Sequence, residues 1–302
     1  MNEQYPYRIL RSVGGLFELL SLTGERLSCR ARGNLRRGDG LFVGDCVAVE
    51  QNENGETAIS EVAPRRNALS RPPLANLDEL LTVVAVKDPA PQTDTVDKLL
   101  VILEHNGIDA TVILTKTDLD ADSAARLTDI YTRAGYRVFA VSSYTGAGIS
   151  DLESYLTARL ASGATLAVGG ASGVGKSSLI NRLFPSLELG TGEISRKLGR
   201  GKNTTRVTEL FPLGNGFLAD TPGFSLLDFL RFDFLACDDL AVAFREFAPL
   251  LGGCEYSDCR HLKEENCAVR RAVKDGEVPE SRYATYAALY PILREKKRAA
   301  GK

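Results

Sequence analysis

Gly169-Gly170-Ala171-Ser172-Gly173-Val174-Gly175-Lys176-Ser177-Ser178 is the stretch on which the reading of the fold turns. It contains the pattern G-x-x-x-x-G-K-S. The run before it, Thr165–Gly169, reads as a strand, and the run after it, Ser177–Phe184, has helical spacing. Strand, glycine loop and helix in that order form the context in which this pattern cradles phosphate. Glycines let successive backbone N–H groups point at one centre, and the helix N-terminus adds a dipole that favours anions. Gly170 through Ser178 are therefore the candidate phosphate-binding residues. Lys176 would reach β- and γ-phosphates, and the Ser177 hydroxyl would coordinate Mg²⁺. The plain alternative, a glycine-rich turn with a solvated lysine, does not explain the flanking strand and helix.

Outward from this loop the pattern alternates. Leu80–Val86, Ala110–Thr115 and Tyr136–Val141 read as strands, and Val96–His105, Ala121–Ala134 and Ile149–Ala161 as helices. Thr205–Phe211 and Phe217–Asp220 are further strands. Such alternation predicts a largely parallel sheet covered on both faces. Residues 1–70 instead hold five short strand candidates: Tyr7–Val13, Leu16–Leu20, Leu27–Arg30, Cys46–Glu50 and Thr57–Val62. Turn residues separate them, as in a small closed barrel of the OB or SH3-like kind. Arg71-Pro72-Pro73 reads as a stiff linker. Beyond residue 229 the chain is mostly helical, with Leu240–Phe247 and Ser281–Arg298 as candidates. The expected domains are a barrel over 1–72, an α/β domain over 73–228 and a helical module over 229–302.

Two more signals sit at predicted strand ends, where open α/β sheets bind ligands. Asp220-Thr221-Pro222-Gly223 offers a Mg²⁺-contacting Asp220 and a backbone N–H at Gly223 for the γ-phosphate. Thr115-Lys116-Thr117-Asp118 offers a carboxylate that could accept two hydrogen bonds from a guanine edge, with the Lys116 stem over the base. Ser142-Ser143-Tyr144-Thr145-Gly146 follows the next strand as a guanine-specificity loop would, with Ser142 and Ser143 as candidate nucleotide-binding residues. In ordinary GTPases the phosphate loop comes first and the base motif last; here the order is reversed. A site is defined in space, and circular permutation preserves it. The segment after Asp220 then leads directly into the C-terminal module.

Cys254-x₄-Cys259-x-His261-x₅-Cys267 presents three thiolates and one imidazole, the ligand set of a closed, structural tetrahedral Zn²⁺ site. Buried reduced cysteines are the alternative, a poor one at this density. Cys29, Cys46 and Cys237 stand alone and read as core residues.

Together these motifs resemble the circularly permuted, small-ribosomal-subunit-dependent GTPases of subunit maturation, over essentially the whole chain. The resemblance implies a GTP hydrolase that binds the small subunit and its rRNA late in assembly and leaves after hydrolysis. It implies GTP and GDP as ligands, Mg²⁺ with the nucleotide and one structural Zn²⁺. Lys176, with Thr205 and Asn203, would then be the catalytic set; Ser177, Thr204 or Thr205 and Asp220 would serve Mg²⁺. Relatives usually carry Asn at the position of Thr115, and a His before the paired threonines, where this chain has Asn203. Phe224 stands where Ras-like enzymes have the Gln that orients water. Slow intrinsic turnover raised by the ribosome is therefore expected. A nucleotide-gated, rRNA-binding assembly checkpoint with little hydrolysis is the second reading. An ATPase is a third, against which Asp118 argues.

The chain has 302 residues, 44% of them hydrophobic and 25% charged, and a formal net charge of −2. That excludes a disordered chain and a histone-like binder. It does not exclude local basic surfaces. Residues 194–210 carry five basic side chains and one acidic, and residues 260–302 carry eleven and six. Residues 71–165 carry eight basic and thirteen acidic. The barrel adds Arg26, Arg30, Arg32, Arg36 and Arg37. Phosphate neutralisation by such residues gives most of the affinity for RNA, though most charge runs are solvated faces. The start, MNEQYPYRIL, lacks a signal-peptide core. A cytoplasmic monomer with no membrane partner is expected.

Overall fold

The computed structural model describes residues 1–33, 35, 40–51, 55–70, 73–184, 208–220 and 235–300. They divide into two units: Met1–Leu80 with Ser154–Gly169 and Phe184–Phe224, and Leu81–Glu153 with Gly170–Leu183 and Ser225–Lys302.

The first unit begins with β1 (Tyr7–Val13), β2 (Leu16–Ser21), β3 (Arg26–Ala31), β4 (Cys46–Gln51) and β5 (Thr57–Val62). Hydrogen bonding runs β1-β2-β3-β5-β4, and β4 returns to β1 through the pairs Tyr7↔Val47 and Arg8↔Cys46. The barrel is closed. The one parallel contact, Arg30↔Ala58 between β3 and β5, gives the OB-like rather than the SH3-like order. Alternation of side chains along each strand sends Ile9, Leu19, Val47 and Ile59 into the centre, where all four are 0% exposed. Two short strands, β6 (Ala68–Ser70) and β7 (Pro73–Ala75), follow as an antiparallel pair.

The same unit holds β11 (Thr165–Gly169), β12 (Glu209–Leu213) and β13 (Gly216–Asp220). β11 pairs in parallel with β13, β13 antiparallel with β12, and β12 meets β1 at Arg11↔Glu209. Acidic residues anchor the start of this sheet. Asp78 accepts from the Thr165 N–H at 2.8 Å and from Arg66 at 2.6 Å. Glu79, fully buried, accepts from the Tyr155 hydroxyl at 2.7 Å and from Arg159 Nε at 2.8 Å. A buried carboxylate is tolerated only with such partners.

The second unit is built on most of β8 (Glu79–Ala85), with β9 (Asp109–Thr115) and β10 (Arg137–Ala140) in the order β10-β9-β8. Every residue of β8 is buried, as in a strand covered on both faces. Helices α1 (Thr93–His105), α2 (Ala121–Arg133), the first part of α3 (Ile149–Ala161) and α4 (Lys176–Leu183) alternate with these strands. Asp120 caps α2 by accepting the Ser123 N–H at 2.9 Å. The C-terminal part has a 3₁₀ helix (Arg245–Leu250), α5 (Ala268–Lys274) and α6 (Glu280–Ala300). Among the described residues no helix is long and apolar enough to cross a membrane.

Three local expectations change. Leu240–Phe247 is not an α-helix but a series of turns running into the 3₁₀ helix. Its bonds are mostly i→i−3, such as Phe244 N–H to Ala241 O and Phe247 N–H to Phe244 O. Leu240, Ala243, Phe244 and Phe247 are buried all the same. Their spacing of three and four suits consecutive turns as well as an α-helix, and Pro249 keeps the run short. Pro73 belongs to β7 rather than to a linker. Helix α5 is an addition to the expected elements; its seven residues follow directly on Cys267, which caps its N-terminus.

Candidate nucleotide site and metal centre

Local physics shapes the phosphate loop. Gly170 has φ 146°, and a Cβ there would lie 2.3 Å from Val83 O, so only glycine lets the loop pass this close to β8. The loop then turns through Gly173 (φ 78°) and Gly175 (φ 94°) into the first turn of α4, where Lys176, Ser177 and Ser178 stand. Val174, between the glycines, is buried. Lys176 Nζ curls back over the loop and donates to Gly170 O at 2.8 Å and Ala171 O at 2.6 Å. Burial lowers its pKa. An ammonium held this way by carbonyls alone is poised for an anion.

The base motif joins the same unit. Thr115 ends β9, and its Oγ1 donates to Val174 O at 2.6 Å. Lys116 adopts a left-handed φ of 58° and its Nζ donates to Asp88 O. Thr117 and an exposed Asp118 follow in the turn. Ser142, fully buried, donates through its hydroxyl to Asp118 Oδ1 and accepts the Thr145 N–H at 3.1 Å. The Ser142 N–H reaches Ala147 O at 3.0 Å, and the Gly146 N–H reaches Ser142 O at 2.8 Å. These bonds close residues 142–147 into a compact loop beside Asp118. Arg182 of α4 donates to Ser143 O at 3.1 Å. One carboxylate oxygen is thereby fixed, and the group is oriented as an acceptor-only reader of a donor edge.

The sequence-predicted phosphate and base residues thus come together in one unit. Asp220 ends β13 in the other unit. Asn203, Thr204, Thr205 and Gly223 lie outside the described residues, as do Arg36 and Arg37. Two participants were not foreseen. Asp88 contributes only a carbonyl, which no side-chain pattern announces. Arg182 sits one helix turn beyond the motif and carries no signature of its own.

The Cys/His segment converges as well. The ligand atoms of Cys254, Cys259, His261 and Cys267 all lie within 4.8 Å of one another, a cluster that could hold a metal ion. Cys254 Sγ is 3.8 Å from Cys267 Sγ and 3.5 Å from His261 Nδ1. His261 Nδ1 is 3.3 Å from Cys267 Sγ. Backbone N–H groups of Ala268 and Arg270 donate to Cys254 Sγ (3.3 Å) and Cys267 Sγ (3.5 Å) and fix the two sulfurs in place. Burial lowers the His261 pKa and keeps the imidazole in its neutral, ligating form. The supporting shell is aromatic: Tyr283 and Tyr286 donate to the carbonyls of His261 (2.9 Å) and Arg260 (2.8 Å).

A closed OB-like barrel, a glycine phosphate loop following β11 and a base motif that precedes it in the chain define a circularly permuted GTPase. A family model described as RsgA GTPase matches residues 62–230. The small ribosomal subunit biogenesis GTPase RsgA of Moorella thermoacetica is 40% identical over 280 residues, covering 92% of this chain and 93% of that one. Its namesake in Caldanaerobacter subterraneus is 36% identical over 299 residues, 98% of both chains. The crystal structure of YjeQ from Thermotoga maritima superposes with a TM-score of 0.77 at 32% identity, over 95% of this chain and 97% of that one. YloQ, described as a circularly permuted GTPase, superposes with a TM-score of 0.72 at 29% identity over 98% of each. The chain belongs to the RsgA GTPase family, whose members hydrolyse GTP.

Proposed function

We propose that this protein hydrolyses GTP on the small ribosomal subunit, late in the subunit's maturation, and that the subunit raises its turnover. The observation that carries the reading is the joining of Thr115–Asp118 to the phosphate loop through the 2.6 Å bond from Thr115 to Val174 O. It sets a guanine reader and a phosphate cradle on one frame. GTP would lie with its base at Asp118, Ser142 and Ser143 and its phosphates against Gly170–Ser178. Phosphoryl transfer needs positioning and charge stabilisation more than covalent chemistry. Lys176 and the loop amides supply both, and Ser177, Thr204 or Thr205 and Asp220 would hold Mg²⁺. Water would be oriented from the segment containing Asn203, and the three-domain division at 72 and 228 belongs to the same reading.

Partner and place follow from the relatives' names and from charge. Arg26 and Arg30 are exposed on β3, a suitable surface for rRNA phosphates. A cytoplasmic monomer fits such a role. GTP turnover measured with and without small subunits, at two salt concentrations, tests it. Turnover should rise with subunits and the rise should shrink at high salt; equal rates with and without them would refute ribosome dependence. A bound state with little turnover even at saturating subunits would favour the checkpoint reading.

Zinc is the ion that fits the Cys/His cluster best. With Zn–S about 2.3 Å and Zn–N about 2.0–2.1 Å, a tetrahedron has sulfur–sulfur edges of about 3.8 Å and sulfur–nitrogen edges of about 3.6 Å. The observed 3.8 and 3.5 Å separations lie close to these edges, and the 3.3 Å between His261 Nδ1 and Cys267 Sγ is shorter. Four protein ligands leave no open position, so the ion would be structural. Metal analysis of the purified chain should find one zinc per molecule, lost in a Cys254→Ser, Cys267→Ser variant. A metal-free wild type, folded and at full activity, would overturn the assignment.

A further inference from the structure

Thr115 is 2% exposed, and its carbonyl and its hydroxyl are both engaged. Its carbonyl accepts the Val86 N–H at 3.1 Å. Its Oγ1 lies 2.6 Å from Val174 O and 3.3 Å from Val84 O. A threonine hydroxyl has one proton to donate, and the nearer carbonyl takes it. Val174 sits mid-loop, between Gly173 and Gly175. For such a loop to turn its N–H groups toward an anion, its carbonyls must find partners on the other side. Lys176 serves Gly170 O and Ala171 O; Thr115 serves Val174 O.

Guanine presents two acceptors, N7 and O6, that need donors. The Thr115 side chain has no donor left to offer them. The Ser142 proton is likewise committed, to Asp118. We infer that Thr115 is a positioning residue for the phosphate loop and does not read the base. Base choice at this motif then rests on Asp118, which faces the donor edge. Position 115 sets how well the loop is shaped for any nucleotide. The inference rests on the guanine-nucleotide reading above and assigns a separate task to one residue within it.

The test compares GDP with 7-deaza-GDP, in which N7 is replaced by C–H, by competition against a labelled guanine nucleotide on the full chain. Thr115→Val removes the hydroxyl at constant shape, and Thr115→Ala is a second hydroxyl-free variant free of any clash. Thr115→Ser keeps the donor. The hydroxyl-free variants should lose about fivefold or more in affinity, equally for both nucleotides, as for one lost hydrogen bond. Thr115→Ser should stay within about twofold of wild type, and the ratio of the two nucleotides should be the same in all four proteins. A loss confined to GDP would show that Thr115 reads N7 and would overturn the inference. So would hydroxyl-free variants that bind as wild type does, or a Thr115→Ser variant as weak as Thr115→Val. Failure of the wild type to bind either nucleotide would instead sink the GTPase reading beneath.

Discussion

Replacing Arg282 by Met is expected to lower the stability of the second unit by about 3–5 kcal/mol, the usual cost of breaking a buried ion pair from one side. Arg282 is fully buried on α6. It donates to Glu246 through Nε at 2.6 Å and Nη2 at 3.1 Å, and to Asp97 Oδ1 through Nη1 at 3.1 Å. Thr285 Oγ1 donates to the other Asp97 oxygen at 3.0 Å. Phe244 stacks beneath the guanidinium at 4.8 Å. Burial alone would lower the Arg282 pKa, but the Glu246 and Asp97 charges override it and raise it. Without the cation, two buried carboxylates would be left with no counter-charge from Arg282. Both are 2% exposed in their side chains. The melting temperature should fall by roughly 10 °C, taking about 2–4 °C per kcal/mol at this size. Adding Asp97→Asn and Glu246→Gln should recover much of the loss, since the stranded charges are then gone. A single Arg282→Met variant that melts with the wild type would show the triad to be idle.

Lys176→Ala is expected to reduce GTP turnover by about 10²–10³-fold, the cost of removing one well-placed charge-stabilising donor. The site makes this residue hard to replace. The loop amides are neutral dipoles, and in the proposed function Lys176 would be the cation the loop itself brings to the β- and γ-phosphates. Its burial and its two carbonyl partners hold Nζ at the loop without neutralising it. A lysine in that setting gains more from an anion than a solvated one does. Single-turnover hydrolysis with small subunits present is the measurement. A variant within about fivefold of wild type would mean that the amides and Mg²⁺ carry the charge alone.

The phosphate loop, the base motif and the Cys/His cluster were legible because each is local, with its chemistry written in residues a few positions apart. Strand limits were legible wherever apolar runs were continuous, as in β8 and β9. The 3₁₀ run at Arg245–Leu250 was not, because a spacing of three and four is shared by two helix types. The triad of Arg282, Asp97 and Glu246 was invisible for a different reason. Its members are 36 and 185 residues apart, and in sequence Arg282 is one of eleven basic side chains of residues 260–302. A charge sum cannot tell a solvated guanidinium from one sealed in a core. The role of Thr115 was hidden in the same way: a departure from the Asn of relatives reads as a loss until its hydroxyl is seen on Val174 O.

Thr115, Lys116 and Asp118 are bound, in order, to the phosphate loop, to Asp88 and to Ser142. Four consecutive residues therefore tie down three separate loops, and one of the four holds a left-handed backbone that costs a non-glycine residue on the order of 1 kcal/mol. Ordering that turn is done once, when the chain folds. On the proposed function, an arriving nucleotide would find its base pocket already assembled and lose little affinity to freezing it. Discrimination between GTP and GDP would then be left to segments on the phosphate side, and the guanine end would act as a fixed grip common to both.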